Sequence, residues 1–453
     1  MYRKSQEVLS NWIVKENRKP LVIRGARQVG KSTLVRQFVV DKGLQLIEVN
    51  CEQNPQLDTV FKGLNVTQIL NELESLPGVA SINSKAVLFL DEVQATPYAL
   101  AALRYFYEQR PEIPVIAAGS LLEFALSEHS FSMPVGRIEF LHMVPMDFEE
   151  FLLACGETKL QEILRTFTLD HPMSELQHSR FLELQAQYFY VGGMPEAVKE
   201  FLKEKKLSAA RAIHENLLST YKADFSKYGL KQDLLLLNRL LNQAAQQVTK
   251  RVKYSKLIPH EQSRTVRRLV DLLAHARLIS LVIHSDASDI PLAAEARGEV
   301  FKLLLLDVGL LNALLGLPWN AVSESALSVR DGSVAEQFIG QELISTHEHG
   351  NQTLFYWLRD GKTNNAEIDF LIMIEGKIVP VEVKAGKSGT LRSLWEFCSA
   401  RSPKMAVRFD INRPSAQDFQ HAGNSGILIS LPLYAASQID RILAIVSGGL
   451  KTR

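Results

Sequence analysis

The sequence has few cysteines, almost no net charge and no long apolar run. Its three cysteines among 453 residues form neither a zinc-binding spacing nor a disulfide framework, which is typical of a reducing compartment. A formal net charge of +1 means that any contact with nucleic acid requires a local basic patch. The most apolar run, Leu303–Leu317, contains Asp307 and is shorter than the ~20 residues of a membrane span. The N-terminus lacks the apolar core of a signal peptide, so we expect a soluble, cytoplasmic protein without membrane contact.

The stretch RGARQVGKST contains the spacing Gly25-x-x-x-x-Gly30-Lys31-Ser32. It follows a short apolar strand and precedes apolar residues at helical spacing, so it joins a buried strand to a helix N-terminus. Glycines in such a loop let backbone N–H groups converge on phosphate oxygens. Lys31 would reach the β- and γ-phosphates, and the Ser32 hydroxyl would bind Mg²⁺. The alternative is that this stretch is an ordinary turn, but its position between a buried strand and a helix argues against that alternative.

Two further strand ends complete the predicted nucleotide site. The apolar strand in AVLFLDEVQ ends in Asp91, which would hold Mg²⁺, and Glu92, which would polarise the attacking water. A third strand, IPVIAAGS, ends in Ser120, which would sense the γ-phosphate. The predicted catalytic residues here are Lys31 and Glu92, and the predicted ATP-binding residues are Gly25, Ala26, Arg27, Gln28, Val29, Gly30, Lys31, Ser32, Thr33, Asp91 and Ser120.

Together with AAGSLLEF, VGRIEFLHMVPMDFEEFL and YFYVGGMPEAV, these motifs resemble prokaryotic AAA+-type ATPases that carry a C-terminal domain of unknown function. The resemblance covers nearly the whole chain in the same order. The loop itself predicts binding of ATP or GTP, and the resemblance implies ATP, a helical lid after the ATPase core, and a homo-oligomer. It also makes Arg137 a candidate arginine finger or phosphate sensor, and the alternative for Arg137 is a surface salt bridge.

A basic segment occupies the middle of the chain. Eight Lys or Arg residues lie between Lys250 and Arg277, against two acidic residues. A helix that Ser263 could cap would bury one apolar face and expose Arg264, Arg267 and Arg268. A short helix, a turn, this helix and an apolar strand resemble a winged helix-turn-helix, whose second helix enters the DNA major groove. The alternatives are a solvated cationic face or a protein-interaction module.

The stretch NNAEIDFLIMIEGKIVPVEVKAG predicts a hairpin around Glu375-Gly376. In that register Ile374 faces Lys377, and Asp369 faces Glu382 at roughly 5 Å between Cβ atoms, which requires something positive between them. A divalent cation would fit, with Lys384 one pleat away, for metal-assisted phosphodiester hydrolysis. Pro380 within the second strand cannot donate a ladder hydrogen bond, so either its nitrogen faces no neighbour or this register is wrong.

This arrangement resembles the PD-(D/E)XK nuclease core. The resemblance makes Asp369, Glu382 and Lys384 the catalytic residues, with Glu336 as the acidic residue from an earlier helix and Glu342 as a weaker candidate for that position. The predicted metal-binding residues of the whole chain are Ser32, Asp91, Glu336, Asp369 and Glu382, with Mg²⁺ at both sites or Mn²⁺ at the second. The alternative is a nuclease-like fold without activity, in which Lys384 forms a buried ion pair with Asp369 or Glu382.

The predicted fold class is therefore a multidomain α/β protein: an AAA+-like P-loop NTPase with a helical lid, a winged helix-turn-helix and a restriction-endonuclease-like α/β domain. The predicted boundaries are 1–149, 150–228, 229–288 and 289–453. The predicted function is an ATPase coupled to a DNA-binding, metal-dependent nuclease-like domain. The alternatives are a nucleotide-gated regulatory switch with an inactive nuclease fold, and an ATPase that acts on protein partners.

Overall fold

The computed structural model describes residues 1–120, 122, 136–228, 233–321, 332–346, 353–359, 365–384 and 391–451. Its contacts divide the chain into two compact units. The first is built from residues 1–144, and the second contains nearly all of the chain from residue 145 onward. No helix in the described ranges is long and apolar enough to cross a membrane.

The first unit is built on a five-stranded parallel sheet flanked by helices. The strands follow the order β2-β3-β4-β1-β5, so β1 lies between β4 and β5. Their bounds are β1 Leu21–Gly25, β2 Gln45–Asn50, β3 Ala86–Asp91, β4 Val115–Ala118 and β5 Glu139–Met143. The helices are α1 Ser5–Ile13, α2 Lys31–Asp41, α3 Leu57–Lys62, α4 Val66–Glu74 and α5 Pro97–Gln109.

Strand β3 shows why this sheet is central to the unit. All six of its residues are buried, as expected for a parallel strand covered by helices on both faces. Because all five strands run in parallel, their carboxyl ends meet at one edge of the sheet. That edge carries the ends of β1, β3 and β4, the three strands from which the nucleotide site was predicted.

The described residues of the second unit between 148 and 274 are mainly helical. The helical pattern predicted between MDFEEFL and Tyr228 is present, with the predicted break at Gly192 and Pro195 between two helices. The bounds are α6 Phe148–Ala154, α7 Thr158–Thr166, α8 Glu175–Val191, α9 Pro195–Glu204, α10 Leu207–Tyr228, α11 Leu234–Gln246, α12 Tyr254–Leu257 and α13 Ser263–His275. The segment predicted as a lid therefore lies in the second unit, and its role stays a prediction.

Helix α13 has the two faces expected from its sequence. Its apolar face is fully buried, and three arginines on the other side are exposed. Ser263 is the first residue of the helix rather than its cap. The predicted short helix and following strand are also present, as α12 and as β6, Ile279–Ser285. The assignment of these elements to a winged helix stays a prediction.

An eight-stranded mixed sheet forms the rest of the second unit, in the order β12-β13-β11-β10-β9-β8-β6-β7. Strand β6 pairs antiparallel with β7 and parallel with β8, so the strand of the predicted winged helix shares this sheet. The predicted boundary at 288/289 therefore falls between two hydrogen-bonded strands. The remaining bounds are β7 Ala296–Leu305, α14 Val308–Leu314, α15 Gly332–Thr346, β8 Leu354–Arg359, β9 Ala366–Ile374, β10 Lys377–Val383, α16 Arg392–Arg401, β11 Met405–Asp410, β12 Ser415–His421, β13 Asn424–Pro432 and α17 Ile439–Lys451.

The predicted hairpin register is confirmed along β9 and β10. Ile374 pairs with Lys377, and the ladder continues to Phe370 and Val381. Glu375 and Gly376 both have positive φ, 48° and 73°, which is the geometry of a type I′ two-residue turn. The ladder then ends because the Asp369 carboxylate, rather than a strand carbonyl, accepts the Val383 N–H at 2.8 Å.

Pro380 is compatible with this register. Pairs alternate between hydrogen-bonded and non-hydrogen-bonded along an antiparallel ladder, and Pro380 with Leu371 falls at a non-hydrogen-bonded position. Its nitrogen therefore faces the β11 side, where the pairing begins only at Val381 with Val407. The proline therefore removes no hydrogen bond from the β9–β10 ladder.

A buried polar junction joins the start of the second unit to α8 and α14. Gly193 accepts the Met146 N–H at 2.7 Å, and its own N–H donates to Asp307 at 2.6 Å. Tyr188 donates its hydroxyl hydrogen to the Met146 carbonyl at 2.5 Å. A Cβ at Gly193 would lie 1.9 Å from that carbonyl oxygen, so no side chain fits there.

Candidate functional sites

The loop between β1 and α2 has the backbone form that phosphate binding requires. Gly30 has φ 97° immediately before the first helical residue, Lys31, a conformation that favours glycine. Gly25 passes so close to β5 that a Cβ would lie 2.3 Å from the Met143 carbonyl oxygen. The loop thus leads into an eleven-residue helix whose N-terminal N–H groups and partial positive charge favour an anion.

Arg3 binds the backbone of this loop, a contact that the sequence did not indicate. Its guanidinium is buried and donates to the Val29 carbonyl at 2.8 Å and to the Val144 carbonyl at 2.6 Å. Val29 itself is fully buried. An arginine at the third residue of a chain carries no local signal of such a role, because both acceptors are distant in sequence.

Lys31 and Ser32 take the positions expected of the end of the motif. The Lys31 ammonium donates to the carbonyls of Gly25 and Ala26 at 3.1 and 2.9 Å, so it lies across the mouth of the loop. Ser32 donates its hydroxyl hydrogen to Asp91. Burial raises the pKa of the Asp91 carboxyl, and the hydrogen bond from Ser32 opposes that rise. A hydroxyl beside a carboxylate is an oxygen donor set suited to Mg²⁺.

Glu92 and Ser120 lie at the ends of the two neighbouring strands. Glu92 adopts a left-handed conformation, φ 51° and ψ 43°, and its N–H donates to Asp91 at 3.0 Å. Ser120 is buried just beyond β4, which lies between β1 and β3. The strand ends thus bring the phosphate loop, the acidic pair and the predicted sensor to one edge of the sheet.

Arg137 forms a surface ion pair within the first unit. Its guanidinium lies 3.2 Å from Glu108, which also binds Arg104 at 2.9 Å, and its side chain is 46% exposed. These two arginines lower the pKa of the Glu108 carboxyl, with Arg104 contributing most. The alternative interpretation of Arg137 thus describes its contacts here, and its role as an arginine finger stays a prediction.

The second predicted site contains an acidic cluster with an unpredicted lysine at its centre. Lys302, on β7, is 1% exposed, and its ammonium lies 2.6 Å from Glu367, 2.8 Å from Glu336 and 3.4 Å from Asp369. Burial alone would lower the pKa of Lys302, but the three carboxylates raise it above its ordinary value. The structure therefore brings Glu336 and Asp369 together as predicted, around a lysine.

Glu382 and Lys384 form the other half of this acidic cluster. The Lys384 ammonium lies 2.5 Å from one carboxylate oxygen of Glu382. The second oxygen of Glu382 is buried without a hydrogen-bond partner among the described residues. Burial and the nearby Asp369 raise the pKa of Glu382, and burial likewise raises that of Glu336. Four carboxylates thus face two lysines, with Arg251 in addition 3.0 Å from Glu367.

One of the residues predicted for this site lies apart from the acidic cluster. Glu342 accepts the Phe148 N–H at 3.0 Å at the start of α6, so it caps a helix instead of joining the acidic cluster. Within the described part of the chain, no group of three or more His, Cys, Asp or Glu side chains is arranged to hold a metal ion. Lys302 supplies positive charge to Glu336, Glu367 and Asp369, and a metal ion held by Asp369 and Glu382 stays a prediction.

The exposed arginines of α13 differ in their contacts. Arg268 makes a two-pronged ion pair with the buried Asp233, at 2.7 and 2.9 Å. Arg267 lies 5.8 Å from the centre of the Tyr254 ring. Arg264 is exposed on the same helix. Arg268 is thus already paired, and DNA contact by these residues stays a prediction.

Comparison with protein families supports an ATPase domain in the first unit. Residues 17–152 match a family model described as AAA domain. Residues 182–321 match a domain of unknown function, DUF8612, and residues 331–434 match another, DUF4143. The chain therefore contains an AAA-type P-loop ATPase domain followed by domains of unknown function, as predicted.

Comparisons with whole proteins add little. No curated protein matches the chain. One similar solved structure is "Structure of the Aeropyrum Pernix ORC2 protein (ADP form)", with 16% identity and a TM-score of 0.29, covering 71% of this chain and 90% of that one. This similarity is too weak to transfer a function.

Proposed function

We propose that the protein is an ATP-hydrolysing switch whose second unit binds DNA, and that its nuclease-like acidic cluster is a lysine-neutralised structural centre. The observation that carries the first part is the meeting of Lys31, Ser32, Asp91, Glu92 and Ser120 at one edge of the parallel sheet. Lys302 at the centre of the acidic cluster carries the second part.

Each residue of the first site has a distinct part in hydrolysis. Lys31 exchanges its loop carbonyls for the β- and γ-phosphates when ATP binds. Ser32 and Asp91 would hold Mg²⁺, which offsets charge that develops on the phosphate oxygens. Glu92 accepts a hydrogen bond from the attacking water and orients it, and Ser120 contacts the γ-phosphate.

The lysine-centred acidic cluster favours a structural centre over a metal site. A buried ammonium within 3.4 Å of three carboxylates satisfies them by charge-assisted hydrogen bonds. A cation that entered between Glu336 and Asp369 would have to displace Lys302 or accept its repulsion. In this form of an inactive nuclease fold the acidic residues are present, and a lysine supplies the positive charge that a metal ion would otherwise bring.

A metal-dependent nuclease is the second candidate, and Glu382 favours it. Its second carboxylate oxygen is buried and unpartnered among the described residues, which costs stability unless a cation or water satisfies it. The four carboxylates of the acidic cluster also outnumber its three cationic side chains, Lys302, Lys384 and Arg251, so the cluster keeps an excess of negative charge that attracts a cation. Asp369 and Glu382 would then hold Mg²⁺ or Mn²⁺, and Lys384 would orient a water.

DNA is the partner that the α13 surface fits best. Arg264 and Arg267 are exposed on one face of a helix whose opposite face is buried. Phosphate contact through such residues makes the affinity for DNA fall steeply with salt, whereas an ATPase that acts on protein partners would show no salt-sensitive binding of DNA. We further propose a homo-oligomer in which Arg137 reaches a neighbouring nucleotide, and a cytoplasmic location consistent with three free cysteines.

One experiment separates these functions. ATP turnover and supercoiled-plasmid cleavage are measured in Mg²⁺ and in Mn²⁺ for the wild type, Lys31→Ala and Asp369→Asn. Lys42→Ala and Asp418→Asn, at exposed positions, are the matched controls. We expect ATP turnover that only Lys31→Ala abolishes, and no cleavage by any variant. Nicking that Asp369→Asn removes would establish the nuclease, and wild-type protein without ATP turnover would refute the switch.

A further inference from the structure

Gln94 contacts the proposed catalytic glutamate, and neither the motifs nor the family models assign it a role. It lies in a single 3₁₀ turn, Val93–Ala95, directly after Glu92. Val93 is fully buried and anchors the turn in the core, so the side chain of Gln94 folds back toward the strand end. Its Nε2 donates to the Glu92 carboxylate at 2.6 Å.

The Glu92 carboxylate determines which way the amide of Gln94 faces. An ionised carboxylate only accepts hydrogen bonds, so the NH₂ group must face it and Oε1 must point away. Oε1 is buried and has no hydrogen-bond partner among the described residues. A buried acceptor without a hydrogen bond destabilises the fold and is uncommon, so we expect Oε1 to accept a hydrogen bond from a bound water or ligand.

Gly119 provides the space that Oε1 occupies. A Cβ at position 119 would lie 2.4 Å from Oε1, so the Gln94 amide occupies space that a side chain at position 119 would fill. Gly119 immediately precedes Ser120, the predicted γ-phosphate sensor at the end of β4. The unpartnered oxygen of Gln94 therefore lies between the proposed base, Glu92, and the end of β4, where the predicted sensor Ser120 follows Gly119.

We propose that Gln94 is a positioning residue for ATP hydrolysis: its Nε2 fixes Glu92, and its Oε1 accepts a hydrogen bond from the attacking water. This inference rests on the proposed ATPase function. The water oxygen forms a bond to the γ-phosphorus while the bond from that phosphorus to the β–γ bridging oxygen breaks. One water proton is released by way of Glu92, and ADP and inorganic phosphate are the products. Gln94 changes no covalent bond and serves only to orient the water and Glu92.

The test separates turnover from nucleotide affinity in the full-length protein. ATP turnover is measured with Mg²⁺, and affinity is measured separately with a fluorescent, non-hydrolysable ATP analogue. The variants are Gln94→Ala, Gly119→Ala, the double variant, and Gln56→Ala as an exposed control. Gly119→Ala displaces the amide while leaving Gln94 in the sequence. Its Cβ would meet only the flexible ends of Gln94 and Leu122, so we expect it to fold.

Misplacing the water lowers kcat by about 100-fold in Gln94→Ala, with affinity for the analogue unchanged within about twofold. Gly119→Ala lowers kcat comparably, and the double variant is no slower than Gln94→Ala because both changes remove one arrangement. The inference is overturned if Gln94→Ala keeps at least about a third of wild-type kcat, if affinity falls as far as kcat, or if the two effects multiply. Should Gln94→Ala fail to fold, a folded Gly119→Ala with wild-type kcat overturns it equally. A wild type that turns over no ATP refutes the ATPase itself, which is a distinguishable result.

Discussion

Replacing Lys302 with methionine removes the buried positive charge but keeps most of the side-chain volume. Glu336, Glu367 and Asp369 then lose the ammonium that lies within 3.4 Å of each of them. Removing one partner of a buried ion pair costs about 3–5 kcal/mol, because it leaves uncompensated charge in a medium of low polarity. We expect Lys302→Met to lower the free energy of unfolding by that amount at pH 7.5.

The pH dependence of this loss is a second, independent readout. Burial already raises the pKa of Glu336, and without the lysine its folded-state pKa rises further. A group whose folded pKa is raised stabilises the fold only while it is protonated, so the deficit shrinks as the pH falls toward 5. The double variant Lys302→Met/Glu336→Gln removes one of the repelling charges and should recover about half of the loss.

Urea unfolding followed by tryptophan fluorescence measures these differences, with the exposed Lys377→Met as the control. A loss below about 1 kcal/mol, or one equal at pH 5 and pH 7.5, would refute a lysine-neutralised centre. Adding Mn²⁺ completes the test. If Mn²⁺ restores the free energy of unfolding of Lys302→Met but does not change that of the wild type, the lysine occupies the position that the cation takes in the variant.

Two further outcomes follow from buried contacts in the second unit. Gly193→Ala places its Cβ 1.9 Å from the Met146 carbonyl oxygen, so it should lower the free energy of unfolding, measured in urea, by at least about 3 kcal/mol. The control Gly298→Ala, whose Cβ lies in open space, should change that free energy by less than about 0.5 kcal/mol. Equal effects of the two substitutions would contradict the packing described around Gly193. Burial lowers the pKa of His214 to about 4, so its contribution to stability is complete above pH 6.5 and is lost as the pH falls toward 4. Between pH 7.5 and pH 4.5 the wild type should lose about 2–3 kcal/mol more than His214→Gln, and parallel losses would exclude His214 as the cause.

Local patterns predicted the parts of the molecule that local chemistry determines. Gly30 and Lys31 were recognisable because a strand, a glycine loop and a helix follow one another in the chain. The β9–β10 register was predictable because a two-residue turn determines the pairing of both strands. These interactions join residues that are close in sequence.

The contacts that were missed join residues far apart in sequence. Lys302 stands alone in the apolar stretch VFKLLLL, a signal that a buried charge needs a partner, but its carboxylates come from α15 and β9. Arg3 reaches carbonyls at Val29 and Val144 with no comparable signal. Pairing of β6 with β8 was also not predictable, because nothing local indicates which strand a parallel neighbour will be.

The position of β6 and β7 at one end of the eight-stranded sheet determines which fragments of this chain can fold when they are expressed alone. A fragment that begins at residue 331, where the DUF4143 match starts, would lack both strands. It would leave β8 as a bare edge open to pairing with other chains, and the carboxylates of Glu336 and Asp369 without Lys302. Such a fragment is expected to aggregate, whereas one that keeps residues from α11 onward would retain both strands and the lysine. The matches at residues 182–321 and 331–434 thus lie for the most part in one compact unit and contribute strands to one sheet.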